Sequence, residues 1–208
     1  MALTFRDLRA DEIECRISTI NDKGLTLLLY KDARCDMNIL DETVGAFNWK
    51  REHSRDNANC TVSIWDPEKS QWISKEDTGT ESNTEAAKGL ASDSFKRACF
   101  NWGIGRELYT APRIWIGVDK FDCKYDKFSV IDISIVDKKI VALTVYNNTT
   151  KTVVFKYGKS NRELLREYCD KNGLDKKVIA DACGLHKDSN ETDYAGALAY
   201  AKSIGEQA

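Results

Sequence analysis

The spacing of apolar residues changes period between residues 13 and 44, and that change limits what the chain can fold into. Ile13, Cys15, Ile17 and Thr19 alternate with Glu14, Arg16 and Ser18, the period of a strand with one covered face. After a turn across 21–24 the run 25–30 continues in the same style, so a hairpin is expected. Ala33, Met37, Leu40 and Val44 then recur at steps of three and four, with Gly45 where a C-terminal cap belongs. Three further strands are expected over 47–53, 60–65 and 71–78, the last two joined by a turn on Asp66 and Pro67. These elements predict helices packed on an antiparallel sheet made of the hairpin and a three-stranded meander.

A long helix is expected to start at Ser82, because Ser82 and Glu85 have capping-box spacing. Ala87, Leu90, Ala91, Phe95, Ala98, Cys99 and Trp102 form its apolar stripe, and Gly103 and Gly105 end it. Lys88, Ser92 and Lys96 follow one another at four-residue steps and make a polar ridge, with Arg97 beside it. Beyond Pro112 the sequence reads as a β-meander over 128–136, 139–146 and 152–157. From Ser160 onward the pattern is helical. The expected organisation is a core over 1–117, a β-rich extension over 118–158 and a helical segment over 159–208, an α+β fold.

Charge is distributed unevenly. The net charge is −2 over 208 residues, so any nucleic-acid contact has to come from a local patch. Residues 66–85 hold six acids against Lys69 and Lys75, whereas 88–113 hold five bases against Asp93 and Glu107. Seven cysteines lie far apart with no CxxC pair, and two histidines add little, so no structural metal is expected and the thiols read as reduced, small apolar side chains. No run approaches the roughly 18 apolar residues of a membrane span, and the first residues lack the basic-then-apolar order of a secretion signal. A cytoplasmic protein with no membrane partner is expected.

Catalytic signatures are absent. There is no Walker-type phosphate loop, no GxSxG elbow and no HExxH helix. Glu76, Asp77, Glu81 and Glu85 invite a two-metal nuclease reading, but adjacent residues on a strand point to opposite faces and Glu85 already serves as a cap. The basic ridge has a plain structural account too, since Asp93 and Arg97 are spaced as an i, i+4 pair and the lysines can face water. Trp49, Lys50, Arg51 and His53 on one strand, with Tyr30, Lys31 and Arg34 at a strand-to-helix junction, shift the balance toward a strand-binding groove. There, cations meet phosphates and rings stack on bases. Trp65, Trp72, Trp102 and Trp115 are expected in the core.

Two blocks, 27–53 (LLLYKDARCDMNILDETVGAFNWKREH) and 72–109 (WISKEDTGTESNTEAAKGLASDSFKRACFNWGIGRELY), resemble the Rad-fifty-two superfamily of single-strand annealing proteins, in particular its phage and prophage branch. The second carries the likeness in an ED-x-G strand followed by a K-x-x-A-S/T-D-x-x-K-R-A helix. The resemblance covers about residues 10–116. It implies an annealing fold, assembly into a ring or helical homo-oligomer, and single-stranded DNA lying along a basic groove with no energy cofactor. It also implies that Arg34, Lys96 and Arg97 contact DNA. Phe100 stands where vertebrate members carry a further arginine, a contact that Arg106 or Lys88 would replace. The expected interface is therefore Arg34, Lys96, Arg97, Lys88, Lys31, Tyr30, Trp49, Lys50, Arg51 and Arg106, with no catalytic or metal-binding residue. The expected function is ATP-independent annealing in recombination and repair, in the bacterial host cytoplasm if the protein is phage-encoded. The helical segment is expected to be an oligomer contact, a module that recruits a host single-strand-binding protein, or a cover over the meander, with recruitment the favoured reading. A metal-dependent nuclease and a module that coats strands without annealing them are the alternatives.

Overall fold

The computed structural model describes residues 3–80, 86–187, 189 and 191–205. The fold is α+β, with a six-stranded and a three-stranded antiparallel sheet. It divides into two compact units, Met1–Glu14 with Leu29–Tyr109, and Cys15–Leu28 with Thr110–Ala208.

The first unit contains α1 (Ala33–Val44), β3 (Trp49–Ser54), β4 (Asn59–Asp66), β5 (Gln71–Thr78) and α2 (Ala86–Trp102). Asp32 starts α1 by accepting from the backbone N–H groups of Arg34 and Cys35, and Gly45 ends it at φ 83°. The strands pair in the order β3-β4-β5. Their register puts Trp49, Ile64 and Ile73 on one rung, Arg51, Val62 and Lys75 on the next, and His53, Cys60 and Asp77 on a third. That face meets α2. Phe95, Ala98 and Cys99 are buried, as are Cys60, Val62, Ile64, Ile39 and Leu40. A large apolar side chain buried like Phe95 stabilises by roughly 1.5–3 kcal/mol.

Gly79 lets strand and helix come this close. A Cβ there would stand 2.5 Å from the Ser94 amide nitrogen and 2.8 Å from the Leu90 carbonyl oxygen, both backbone atoms of α2. Asp93 accepts from the Thr80 amide and hydroxyl, and the Ser94 hydroxyl donates to the Asn57 carbonyl. The expected Ser82–Glu85 capping box lies outside the described residues.

The second unit is built on the hairpin β1 (Glu14–Asn21) and β2 (Gly24–Tyr30), with β6 (Ile114–Gly117), β7 (Phe128–Val136), β8 (Lys139–Asn147) and β9 (Thr152–Gly158). The strand order is β6-β2-β1-β7-β8-β9, and Leu25 stands opposite Ile116. Helices α3 (Asn161–Asn172), α4 (Lys176–Ala182) and α5 (Glu191–Gly205) pack through Leu165, Cys169, Ile179, Ala197 and Ala201. Ser160 and Glu163 form a capping box at the start of α3, and Gly173 closes it at φ 65°. The helices rest on the sheet through α5 and β7.

This division differs from the one expected along the sequence. The hairpin pairs with β6 and β7 in one sheet, so 1–117 is not a unit and the boundaries at 117 and 158 do not separate compact bodies. The physical reason is that alternation marks a strand's apolar face and not its partner, and β6, four residues long, is too short to show a period. Among the described residues no helix is long and apolar enough to cross a membrane. All seven cysteines are free thiols. Burial pushes Cys35 up to about 12 and Cys60 up to about 11, and holds Cys99 well above the ordinary range.

Candidate nucleic-acid interface

All ten residues expected at the interface belong to the first unit, but the fold does not gather them in one place. Lys31 is interior. It is 1% exposed, its Nζ lies 2.5 Å from both carboxylate oxygens of Asp36, and it stands 4.5 Å from the centre of the Phe100 ring. A cation so enclosed cannot reach a phosphate, which corrects its expected role. Burial pushes the Asp36 carboxyl up to about 6, against the pull of Lys31 and Lys96.

Two expected contacts hold local structure. Arg106 turns back on the end of α2, donating from Nε to the Phe100 carbonyl at 2.6 Å and from Nη2 to the Asn101 carbonyl at 2.9 Å. It adds a second donor to carbonyls at the helix end that already accept from the Gly103 amide and from Lys75. The Tyr30 hydroxyl donates to Glu14 at 2.5 Å.

Trp49, Arg51 and Arg97 lie where the sheet meets α2. Trp49 stacks on Phe95 at 6.1 Å and donates from Nε1 to Asp41 at 2.6 Å. The Arg51 guanidinium lies 4.9 Å from the centre of the same ring, with its own side chain exposed. Arg97 approaches Asp77, not Asp93: Nε lies 3.4 Å from Oδ1, and Asn101 donates to the other oxygen at 3.3 Å. The i, i+4 pair expected on α2 is thus replaced by a strand-to-helix pair, and Asp93 holds Thr80 instead. Burial and the neighbouring Arg51 charge hold His53 below its ordinary pKa, so it stays neutral near pH 7 and contributes no cation.

Lys50 faces away from α2, as alternation along β3 dictates. Its Nζ is 3.0 Å from Glu52 and 5.3 Å from the centre of the Trp72 ring, and Trp72 meets Trp65 edge-on at 5.6 Å. Both tryptophans were expected in the core, yet they are 39% and 36% exposed. A three-stranded sheet covered by one helix leaves its other face wet, and spacing alone does not say which face that is.

Arg34 and Lys96 remain. Arg34, in the first turn of α1, has an 85% exposed side chain and a 2.9 Å pair with Asp32. Lys96 is half-buried on the α1 side of α2, where its charge acts on Asp36 of that same first turn. It has no hydrogen-bond or ion-pair partner among the described residues. Lys96 and Arg97 therefore emerge on different sides of α2, one toward α1 and one toward β5. Lys88 belongs to α2, but its side chain lies outside the described residues.

One further residue joins this seam. Phe100, a helical turn beyond Lys96, meets the Tyr109 ring edge-on at 5.1 Å, and Tyr109 is 71% exposed. It closes the 72–109 block, so the sequence held it in view, but nothing local marked it as an exposed ring. Of the acids behind the nuclease alternative, Glu76 accepts from Asn59 and Thr61 and Asp77 from Arg97 and Asn101, while Glu81 and Glu85 lie outside the described residues. Among the described residues no three His, Cys, Asp or Glu side chains gather as a metal site. No protein-family model, curated protein or solved structure matches the chain.

Proposed function

We propose that this chain binds single-stranded DNA as a homo-oligomer, a ring or a helical filament, and anneals complementary strands without bond-making chemistry or a nucleotide cofactor. The observation that carries the reading is Lys96, a half-buried lysine without an ion-pair partner among the described residues. The first turn of α1, whose Asp36 feels the Lys96 charge, also bears the exposed Arg34, and the Phe100–Tyr109 contact adds an exposed ring. Cations hold phosphates, the ring stacks on a base, and contact with the backbone carries no sequence information. Annealing then gains rate by proximity, because an assembly lines up an extended strand and concentrates its complement. Phe47, 97% exposed between α1 and β3, is an apolar surface that assembly would cover.

Recruitment of a host single-strand-binding protein, in a bacterial host cytoplasm if the chain is phage-encoded, goes with this reading. It is favoured by a cleft of about 310 Å3 on the C-terminal helices, lined by Arg162, Arg166, His186 and Lys187 together with Lys176, whose Nζ is paired with Asp170 at 2.5 Å. Such a cleft suits an acidic segment of a partner.

Complementary labelled oligonucleotides, mixed with the protein in magnesium or in chelator, test the function. Duplex formation in both conditions supports annealing. Cleavage in magnesium supports a nuclease instead, and retention of separated strands supports a coating module. Reversing charge at Lys96 and Arg97 together abolishes annealing and leaves assembly intact; a folded double variant that anneals normally refutes the site.

A further inference from the structure

The six-stranded sheet curls until its edge strands β6 and β9 approach to within 8 Å between Cα atoms. Between them opens a cleft of about 550 Å3, lined by Lys23, Trp115, Val118, Lys120, Val153 and Lys156 among others. Trp115 is 48% exposed there. Its position is set by glycine: at Gly24 a Cβ would stand 2.7 Å from Cζ2 of the indole, and at Gly117 one would stand 3.6 Å from Cη2. A Cβ at residue 24 would also collide with the Ile116 carbonyl oxygen, so glycine is what lets β2, β6 and the indole meet there. With glycine there, one part of the indole rests against β2 and the remainder opens to the cleft.

The charge around this ring is opposite to that of the whole chain. Three lysines line the cleft against one acid, Asp119, in a protein of net charge −2. Lys23 and Lys156 have no ion-pair partner among the described residues. Lys120 reaches across the gap, its Nζ 3.5 Å from the Val154 carbonyl oxygen. An added peptide strand would have to compete for that carbonyl, whereas a phosphate would meet the lysines with the edge undisturbed.

We propose that this cleft is a second binding site for a single strand of nucleic acid, with a base stacked on Trp115 and phosphates held by Lys23, Lys120 and Lys156. A rigid exposed ring among cations is what sequence-tolerant strand binding requires. The inference rests on the second unit alone and does not depend on Lys96.

The test uses the full-length protein and a fluorescein-labelled oligothymidylate, with anisotropy followed as a function of salt. Trp115→Ala weakens binding roughly tenfold, as loss of one stacked base does. Reversing Lys23, Lys120 and Lys156 to Glu lowers the slope of log K against log salt by about 2. Both effects persist when Lys96 and Arg97 are also reversed, so loss at one site is read separately from loss at the other. Ultraviolet irradiation of the unaltered protein, which needs no variant to fold, crosslinks the oligonucleotide to the tryptic peptide 114–120. The proposal is overturned if the cleft variants bind normally and no crosslink reaches that peptide, or if a labelled polyglutamate peptide occupies the cleft in preference to the oligothymidylate.

Discussion

The Nζ of Lys31 lies 2.5 Å from Oδ1 of Asp36, with the two side chains 1% and 0% exposed. This pair joins the end of β2 to the first turn of α1 and sits under Phe100. A buried pair of this kind contributes little net stability compared with well-packed apolar residues, but breaking it leaves an uncompensated charge.

Lys31→Met therefore costs about 3–5 kcal/mol near neutral pH. A free aspartate titrates near 3.9, and burial pushes Asp36 up to about 6. The folded state thus takes up a proton between those values. This carboxyl favours the fold most below about pH 4, and its contribution falls away as pH rises through 6. Without Lys31 that dependence steepens, so the deficit relative to the unaltered protein shrinks between about pH 7 and pH 5, measured by urea denaturation. Adding Asp36→Leu recovers most of the loss. Equal deficits at both pH values would show that the carboxylate is not the source.

Gly79→Ala destabilises by roughly 1–3 kcal/mol, because the added methyl meets backbone atoms of α2 that cannot turn aside. Thermal unfolding measures the loss. Gly103→Ala provides a control of another kind: its Cβ meets nothing within 4 Å, and its penalty comes from φ 102° alone.

Lys96 and Arg97 separate in single variants. Lys96→Gln lowers the salt slope of oligonucleotide binding by about 0.7 with no change in unfolding midpoint, since it breaks no ion pair among the described residues. Arg97→Gln loses the Asp77 pair as well, and because Arg97 is 41% exposed that loss is at most about 1 kcal/mol. Identical effects of the two substitutions on binding and melting would contradict their placement on different sides of α2.

Cys123 is the exposed thiol, whereas Cys35, Cys60, Cys99 and Cys169 are buried. A thiol reagent applied to the native protein modifies Cys123 first and those four only on unfolding, as peptide mass spectrometry reads. Early modification of Cys60 or Cys99 would mean that α2 separates readily from β4.

Much of the local structure was legible in the sequence, because period and caps act over a few residues. The 3.6-residue spacing from Ala33 to Val44, the Gly45 terminator, the turn on Asp66 and Pro67 between two strands, and the helical pattern from Ser160 onward each declare an element without reference to the rest of the chain. What covers each element was not legible. β1 and β2 were visible as a hairpin, yet only tertiary pairing decided that they join β6 and β7. Lys31 and Lys96 look alike in sequence, yet one is enclosed with Asp36 and the other reaches the surface unpaired among the described residues. Arg97 had Asp93 four residues away and took Asp77, twenty residues away on β5, while Asp93 accepts from Thr80. Sequence determines which side of an element is apolar or charged; only the fold decides which charges find partners and which rings stay open to a ligand, since both depend on contacts between distant residues.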